Sequence, residues 1–224
     1  MNPILHQTSP QKENRVFNIL VADDHAIVRV GMTVLIRAVY GEVNIEEAED
    51  GESVIRKLKS GSFDLLILDI NMPQTEPLSL TGYLIKEFPS LKILIYSVSQ
   101  EIFFAKRLLR LGAHGYIIKQ SRESEIRYAI QQVLEGHIYI SDFIAEAISY
   151  EQIRNKKDNP FEQLSDREFE VALQILKGNP VSVIADTLNL NKSTIGSHKA
   201  MILRKLHLSN AMELMHLAKE YKII

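Results

Sequence analysis

The sequence predicts an α/β doubly wound five-stranded parallel sheet followed by a small all-α helix-turn-helix domain. Three observations carry that expectation. Short apolar runs alternate with helix-spaced segments up to about residue 138. The run Leu65-Leu66-Ile67-Leu68, flanked by Asp64 and Asp69, is continuously apolar, as in a strand buried on both faces. Beyond the charged, Pro-terminated stretch Arg154-Asn155-Lys156-Lys157-Asp158-Asn159-Pro160, strand signals vanish and helical patterns remain.

Taken in order, residues 1–15 are polar and expected to be disordered. Phe17 to Ala22 reads as a strand ending at Asp23-Asp24, and from Ile27 to Ala38 the spacing of Ile27, Val30, Val34 and Leu35 fits a helix with one apolar face. Val43 to Ala48 is a weaker strand and Gly51 to Lys59 a helix. The run before Asp69 supplies the third strand, stopped by Met72-Pro73, which continues a strand poorly. A helix near Leu78 to Glu87, a strand Lys92 to Tyr96, a helix Glu101 to Leu111, a strand Tyr116 to Ile118 and a helix Glu123 to Leu134 complete the set. Residues 16–138 form this first domain, 139–160 a partly helical linker with a further helix within Ile138 to Ile153, and 161–224 the second domain. The second domain opens with Leu164-Ser165-Asp166-Arg167-Glu168-Phe169. There Ser165 and Glu168 have capping-box spacing, Leu164 and Phe169 the spacing of a hydrophobic staple, and Gly178 marks the helix end. Val181 to Leu188, Lys192 to Leu206 with Asn191 as cap, and Asn210 to Tyr221 follow as helices. A short helix, a tight turn and a longer helix make a helix-turn-helix pattern.

Composition bounds the chemistry. The chain has 224 residues, a net charge of −2 and no cysteine, which excludes disulfides, thiolate catalysis and Cys-based zinc sites. No apolar run approaches the ~18 residues of a membrane span and the N-terminus lacks a signal-peptide core, so a soluble cytoplasmic protein with no membrane partner is expected.

Asp23, Asp24 and Asp69 fall at the carboxyl ends of the first and third strands, the edge where open α/β sheets bind ligands. Carboxylates gathered there repel unless a cation offsets them, and oxygen-only ligation by few protein groups suits Mg²⁺. Ser97 and Lys119 end the fourth and fifth strands. A hydroxyl, an ammonium and a divalent cation around one carboxylate can offset the charge of a phosphoryl group placed on it. Taken singly, Asp-Asp after a strand is as well explained as a turn or cap, and a strand-end Ser or Lys as a solvated side chain. It is their conjunction on four strands that points to a site.

An acidic pair, an Asp closing the third strand with the local pattern Asp69-x-x-Met72-Pro73, Ser97 on the fourth and Lys119 on the fifth resemble the flavodoxin-like receiver domain of two-component response regulators. The resemblance implies phosphorylation of Asp69 by a sensor histidine kinase, and Mg²⁺ held by Asp23, Asp24, Asp69 and the Asn71 backbone carbonyl. It also implies Ser97 and Lys119 contacting the phosphoryl group, and Tyr116 as an aromatic switch. Two departures stand out: Pro77 occupies a position where the family usually has Gly a few residues after Met-Pro, and Val98 stands where a small Ala is common.

The tail, with Leu164-x-x-Arg167-Glu168-x-Glu170-Val171, Ile184-Ala185-x-x-Leu188-x-Leu190 and Thr194-Ile195-x-x-His198-x-x-x-Ile202-x-x-Lys205-Leu206, resembles the LuxR-type DNA-binding domain. From about residue 16 onward the chain is thus similar to the NarL/FixJ class. Between Asp186 and Glu213 there are four basic residues, Lys192, Lys199, Arg204 and Lys205, and no acid, a patch suited to a phosphate backbone. Ile195, Ile202 and Leu206 share an inward face, and Ser193, Gly196, Ser197, Ala200 and Arg204 the opposite one. With Thr194 and His198 these make up the expected contact set for promoter DNA. The reading face is short of long polar side chains, so Ser197, Arg204 and DNA shape carry more of the specificity. Ser182-Val183 stands where the family has a basic-acidic pair. By resemblance the last helix pairs two copies, giving a homodimer on DNA or when phosphorylated.

The leading expectation is a phosphorylation-gated transcription regulator and not an enzyme, although self-dephosphorylation is compatible with it. Two alternatives are a DNA binder working without phosphorylation and, distantly, a haloacid-dehalogenase-type Mg-dependent phosphohydrolase. The last needs an Asp two residues after its nucleophile, where Asn71 stands.

Overall fold

The computed structural model describes residues 16–73, 75–98, 102–153, 159–221 and 223–224. The extension 1–15, Gln74 and the centre of the expected linker, 154–158, lie outside the described residues. The first half runs β1 (Phe17–Ala22), α1 (Ala26–Tyr40), β2 (Val43–Ala48), α2 (Gly51–Ser60), β3 (Leu65–Leu68), α3 (Pro77–Glu87), β4 (Lys92–Ser97), α4 (Ile102–Leu111), β5 (Gly115–Ile118) and α5 (Glu123–Leu134). Next come β6 (Tyr139–Ile140), α6 (Asp142–Ile153) and a 3-10 turn at Pro160–Gln163. The tail holds α7 (Asp166–Leu176), α8 (Val181–Thr187), α9 (Lys192–Lys205) and α10 (Ala211–Glu220).

The sheet order is β2-β1-β3-β4-β5-β6, with every pairing parallel. Connections reverse between β1 and β3, and the carboxyl ends of these strands are where such a sheet binds ligands. Alternate residues of the central strands serve two cores. Ile19, Val21, Leu65, Ile67, Leu94 and Ile117 pack under α1 and α5 with Met32, Ile36, Ile130 and Val133. Leu20, Leu66, Leu68, Ile93, Ile95 and Tyr116 face the other way. Their core is continuous with Phe161, Phe169, Ile195 and Ile202 of the tail. The apolar strands are therefore buried on both faces, as their composition requires.

Three expectations change. A sixth strand joins the five: Tyr139 and Ile140 pair with Gly115 and Tyr116 before α6 starts, so the linker's first residues extend the sheet. On α1 three of the four spaced residues face outward, and Leu35 alone of them packs against the core. Ile27, Val30 and Val34 are 77%, 52% and 64% exposed, while Met32 and Ile36 are buried against the sheet. Asn191 occupies the N-cap of α9 but makes no side-chain cap bond. Other caps form as their residues suggest. Ser165 and Glu168 close a reciprocal capping box on α7, and the Asn210 side chain accepts from the N–H groups of Met212 and Glu213 at the start of α10. Gly178, at φ +79°, follows α7 in the left-handed conformation that glycine adopts without strain.

Pro77 now has a physical place. It is a buried residue of the first turn of α3, where its missing N–H has no intrahelical role and its fixed φ suits the helix.

Candidate functional site

The strand register builds the acidic site. Ala22 pairs with Leu68, and the Asp69 N–H donates to Ala22 O at 2.9 Å, so Asp23 and Asp69 emerge side by side. Ser97 pairs with Ile118, and the Lys119 N–H donates to Ser97 O at 2.8 Å, which sets Lys119 beside them. Asp23, Asp69 and Ser97 are all buried, at 1%, 2% and 0% exposure.

Lys119 Nζ bridges the two buried carboxylates, 2.5 Å from Asp23 Oδ2 and 2.9 Å from Asp69 Oδ2. Burial works against its charge, yet the hydrogen bonds to Asp23 and Asp69 prevail and hold its pKa above the ordinary 10.5. The ammonium also lies 5.8 Å from the centre of the Tyr96 ring, within cation–π range. The two members of the acidic pair separate. Asp23 turns inward to Lys119, whereas Asp24 stays partly exposed with its Oδ1 2.7 Å from His25 Nδ1. The His25 N–H donates to Asp23 Oδ1 at 2.9 Å.

Asn71 enters through its side chain as well as its backbone. Its N–H donates to Asp69 Oδ1 at 3.1 Å, and its amide Nδ2 donates to Ser97 Oγ at 3.1 Å. Tyr116 lies fully buried one strand over, already turned into the core. Val98 is half exposed beyond Ser97. Sequence reasoning missed His25 and the Asn71 amide; adjacency to the acidic pair and to Asp69 was the available signal for each. Asp23 and Asp69 share one ammonium, and oxygen atoms of Asp23 and Asp24 lie with a His25 nitrogen within 4.8 Å of one another. That surplus of hard anionic donors fits an added divalent cation.

In the tail, α8 and α9 meet across Leu188-Asn189-Leu190, with Asn189 at φ +51° making the tight turn. Ile195 and Ile202 of α9 and the following Leu206 face inward, while Lys192, Ser193, Gly196, Ser197, Lys199, Ala200 and Arg204 are exposed, and Thr194 and His198 partly so. Ser197 Oγ bonds back to Ser193 O at 3.1 Å. Lys205 is placed differently from the rest of the expected contact set. Its Nζ reaches Glu168 Oε2 at 2.7 Å and ties α9 to the start of α7. Its charge is thus offset within the tail, leaving Lys192, Lys199 and Arg204 as the cations of the open face. On α8, Val181 and Val183 are exposed near the turn.

This constellation at the sheet's switch point, joined to a helix-turn-helix, defines a receiver-type regulator. Comparison with known proteins agrees. Residues 19–131 match the response regulator receiver domain and residues 162–218 the bacterial regulatory proteins of the luxR family. Response regulator GacA of Pseudomonas protegens is 32% identical over 93% of this chain and 98% of its own length. Response regulator UvrY of Escherichia coli K12 is 31% identical over 91% and 94%. The solved structure of RcsB from Salmonella enterica serovar Typhimurium, bound to promoter rprA with the phosphomimetic BeF3-, aligns with a TM-score of 0.68. It is 27% identical and covers 91% of this chain and 98% of RcsB. The chain belongs to the two-component response regulators of the NarL/FixJ class, a receiver followed by a luxR-family helix-turn-helix. That membership sets aside the phosphohydrolase alternative. Among the described residues no helix is long and apolar enough to cross a membrane.

Proposed function

We propose that Asp69 accepts a phosphoryl group from a sensor histidine kinase and that this controls promoter binding by α9 in the cytoplasm. The observation that carries the reading is the Lys119 bridge between Asp69 and Asp23, beside the Ser97–Asn71 pair. In the transfer an Asp69 carboxylate oxygen attacks phosphorus, the P–O bond forms and the P–N bond of phosphohistidine breaks. The electron pair leaves on the imidazole nitrogen. Lys119 then pairs with the incoming oxygens, and Ser97 Oγ donates to one of them once Asn71 releases it. Asp23, Asp24, Asp69 and the Asn71 carbonyl would hold Mg²⁺, which offsets the phosphoryl charge. The absence of an acid/base group at Asn71 supports slow self-dephosphorylation over turnover.

On the DNA side, Lys192, Lys199 and Arg204 meet phosphates, while Ser193, Gly196, Ser197 and Ala200 face base edges, with Thr194 and His198 at the margin. A homodimer pairs two half-sites; RcsB dimers have been seen on DNA, a precedent for that assembly. The domain division at about residues 16–138 and 161–224 belongs to the same reading.

Incubation with acetyl phosphate and Mg²⁺ is expected to add one phosphoryl group at Asp69, read by mass spectrometry, and to raise promoter occupancy. An adduct elsewhere, or none, refutes it. One observation favours the second reading, binding without phosphorylation: the α9 reading face is exposed while the receiver is docked on α7. In that case Asp69→Asn leaves occupancy and dimerisation unchanged.

A further inference from the structure

The first turn of α3 carries N–H groups without intrahelical acceptors, and its own N-cap, Glu76, makes no side-chain cap bond. The acceptor comes from the tail, 91 residues away. Glu170 of α7, fully buried, accepts from the Ser79 N–H at 2.7 Å and from Ser79 Oγ at 2.6 Å. A carboxylate of the DNA-binding half thus caps a receiver helix, where the helix dipole favours negative charge. Arg167 holds Glu170 from its own helix at 2.9 Å.

Glu76 sits beside this cap. Its Oε1 accepts from Gln174 Nε2 of α7 at 2.7 Å, so both carboxylates lie in the same contact. A cavity of about 360 Å³ opens next to them, lined by Asn71, Glu76, Phe104, Gln174 and Lys177 among others. Burial, then the charge of Glu170, push the Glu76 carboxyl up to about 7, against the hydrogen bond from Gln174 and the charges of Lys177 and Arg167. Among the described residues that line the cavity, Lys177 is the other charged side chain; Asn71 and Thr75 on the loop of Glu76 are neutral, and so is Phe104.

We propose that the α3–α7 contact is a proton-operated latch, in which Glu76 takes up a proton as the DNA-binding helices close on the receiver. Two carboxylates from two domains share one enclosed contact, and Glu170 is met directly by the Arg167 guanidinium and by the Ser79 N–H and hydroxyl. Glu76 has an amide alone at hydrogen-bond distance. The inference rests on this contact and is independent of chemistry at Asp69.

The closed state has the raised pKa, so it binds the extra proton. Closure is therefore fully favoured below the ordinary carboxylate value and weakens as pH rises through about 7. With 4.5 for the open carboxyl, the closure constant falls by at most ~70-fold between about pH 5 and pH 8, less where water reaches Glu76.

The chain has no cysteine, so Glu87→Cys and Ser209→Cys place two unique fluorophores on the full-length protein for single-molecule energy transfer. We expect the closed fraction to fall from pH 5 to pH 8 in the otherwise native chain, and to stay flat in Glu76→Gln. The ¹³C resonance of the Glu76 carboxyl should titrate near neutrality in the native full-length chain, a readout that needs no variant to fold. A closed fraction that is flat with pH, a fall identical in Glu76→Gln, or a Glu76 midpoint in the ordinary carboxylate range would each overturn the proposal. Phosphorylation of Asp69 is not needed for any of these outcomes, so the latch and the proposed function fail separately.

Discussion

Arg107 is the buried residue by which α4 holds the tail, beside the more exposed pairs of Lys106 and Arg110 with Glu162, and Arg107→Met is the substitution that tests how firmly. Its side chain is 8% exposed. Nη2 donates to Phe161 O at 2.7 Å and to Leu164 O at 2.9 Å, Nη1 pairs with Asp166 Oδ1 at 2.6 Å, and the guanidinium lies 4.5 Å over the Phe169 ring. Met keeps the apolar stem against Phe169 but takes the guanidinium donor from the Leu164 carbonyl, at about 1–3 kcal/mol, while the Phe161 carbonyl keeps the Leu164 N–H at 3.1 Å. Asp166 is 40% exposed and recovers water, so its loss adds little. The docking equilibrium should weaken by about 2 kcal/mol, a factor of roughly 30. Urea unfolding reads this directly. All the tyrosines except Tyr221 precede residue 151, so tyrosine emission follows the receiver while far-ultraviolet circular dichroism follows both halves. The native chain should give coincident transitions because Phe104 and Phe169 meet edge to face across one core, with ring centres 5.6 Å apart. The variant should give separated transitions. Coincident curves at an unchanged midpoint would refute the claim that this clasp joins the halves.

Three further outcomes follow from named contacts. Gly196→Ala adds a methyl group that meets nothing within 4 Å, so it should stabilise α9 by about 1 kcal/mol and raise the melting temperature; a lower one contradicts the open face. Arg204→Ala should leave the fold intact and weaken DNA binding, with the slope of log affinity against log salt shallower by about 1 if it neutralises one phosphate; an unchanged slope in a gel-shift titration refutes that orientation of α9. Glu168 is held below the ordinary 4.5: burial opposes this, and the hydrogen bonds from Lys205 and Ser165 overcome it. Its stabilisation is present above 4.5 and lost as pH falls through the lowered folded value. A scan of melting temperature against pH should therefore lose part of its acid limb in Glu168→Gln, and identical limbs would contradict the assignment.

The acidic site was legible because a strand end fixes where its next residue points. Once β1, β3, β4 and β5 are read as parallel neighbours, Asp23, Asp69, Ser97 and Lys119 have little freedom to be elsewhere. The capping box at Ser165 was legible for a related reason, since both partners lie within one helical turn. What escaped depends on separation in sequence. Nothing local distinguishes Lys205, bound to Glu168, from Lys199, which stands in the open. Nothing local tells Arg107 or Glu170 that it will meet a partner more than fifty residues away. The α1 stripe misled because periodicity reports that a helix has an apolar face and not which neighbour covers it. Here Met32 and Ile36 face the sheet. The strand at Tyr139 is too short to show a period of two, and it exists because the free edge of β5 offers it a partner.

The loop from Asp69 to Pro77 joins the two networks. At one end Asn71 holds Ser97, and at the other Glu76 and Ser79 meet α7. Pro77 stiffens the far end, since it fixes its own φ and restricts Glu76 to the extended backbone that the helix entry requires. A displacement of Asn71, once Ser97 turns to a phosphoryl oxygen, is then absorbed within a short segment or passed to the Glu76–Glu170 contact. A glycine at position 77 would absorb it locally, because its backbone has more accessible conformations. A proline there transmits it. The departure at this position is thus a physical reason for the coupling to run through α3 and α7 rather than by covering the reading face of α9, which remains open.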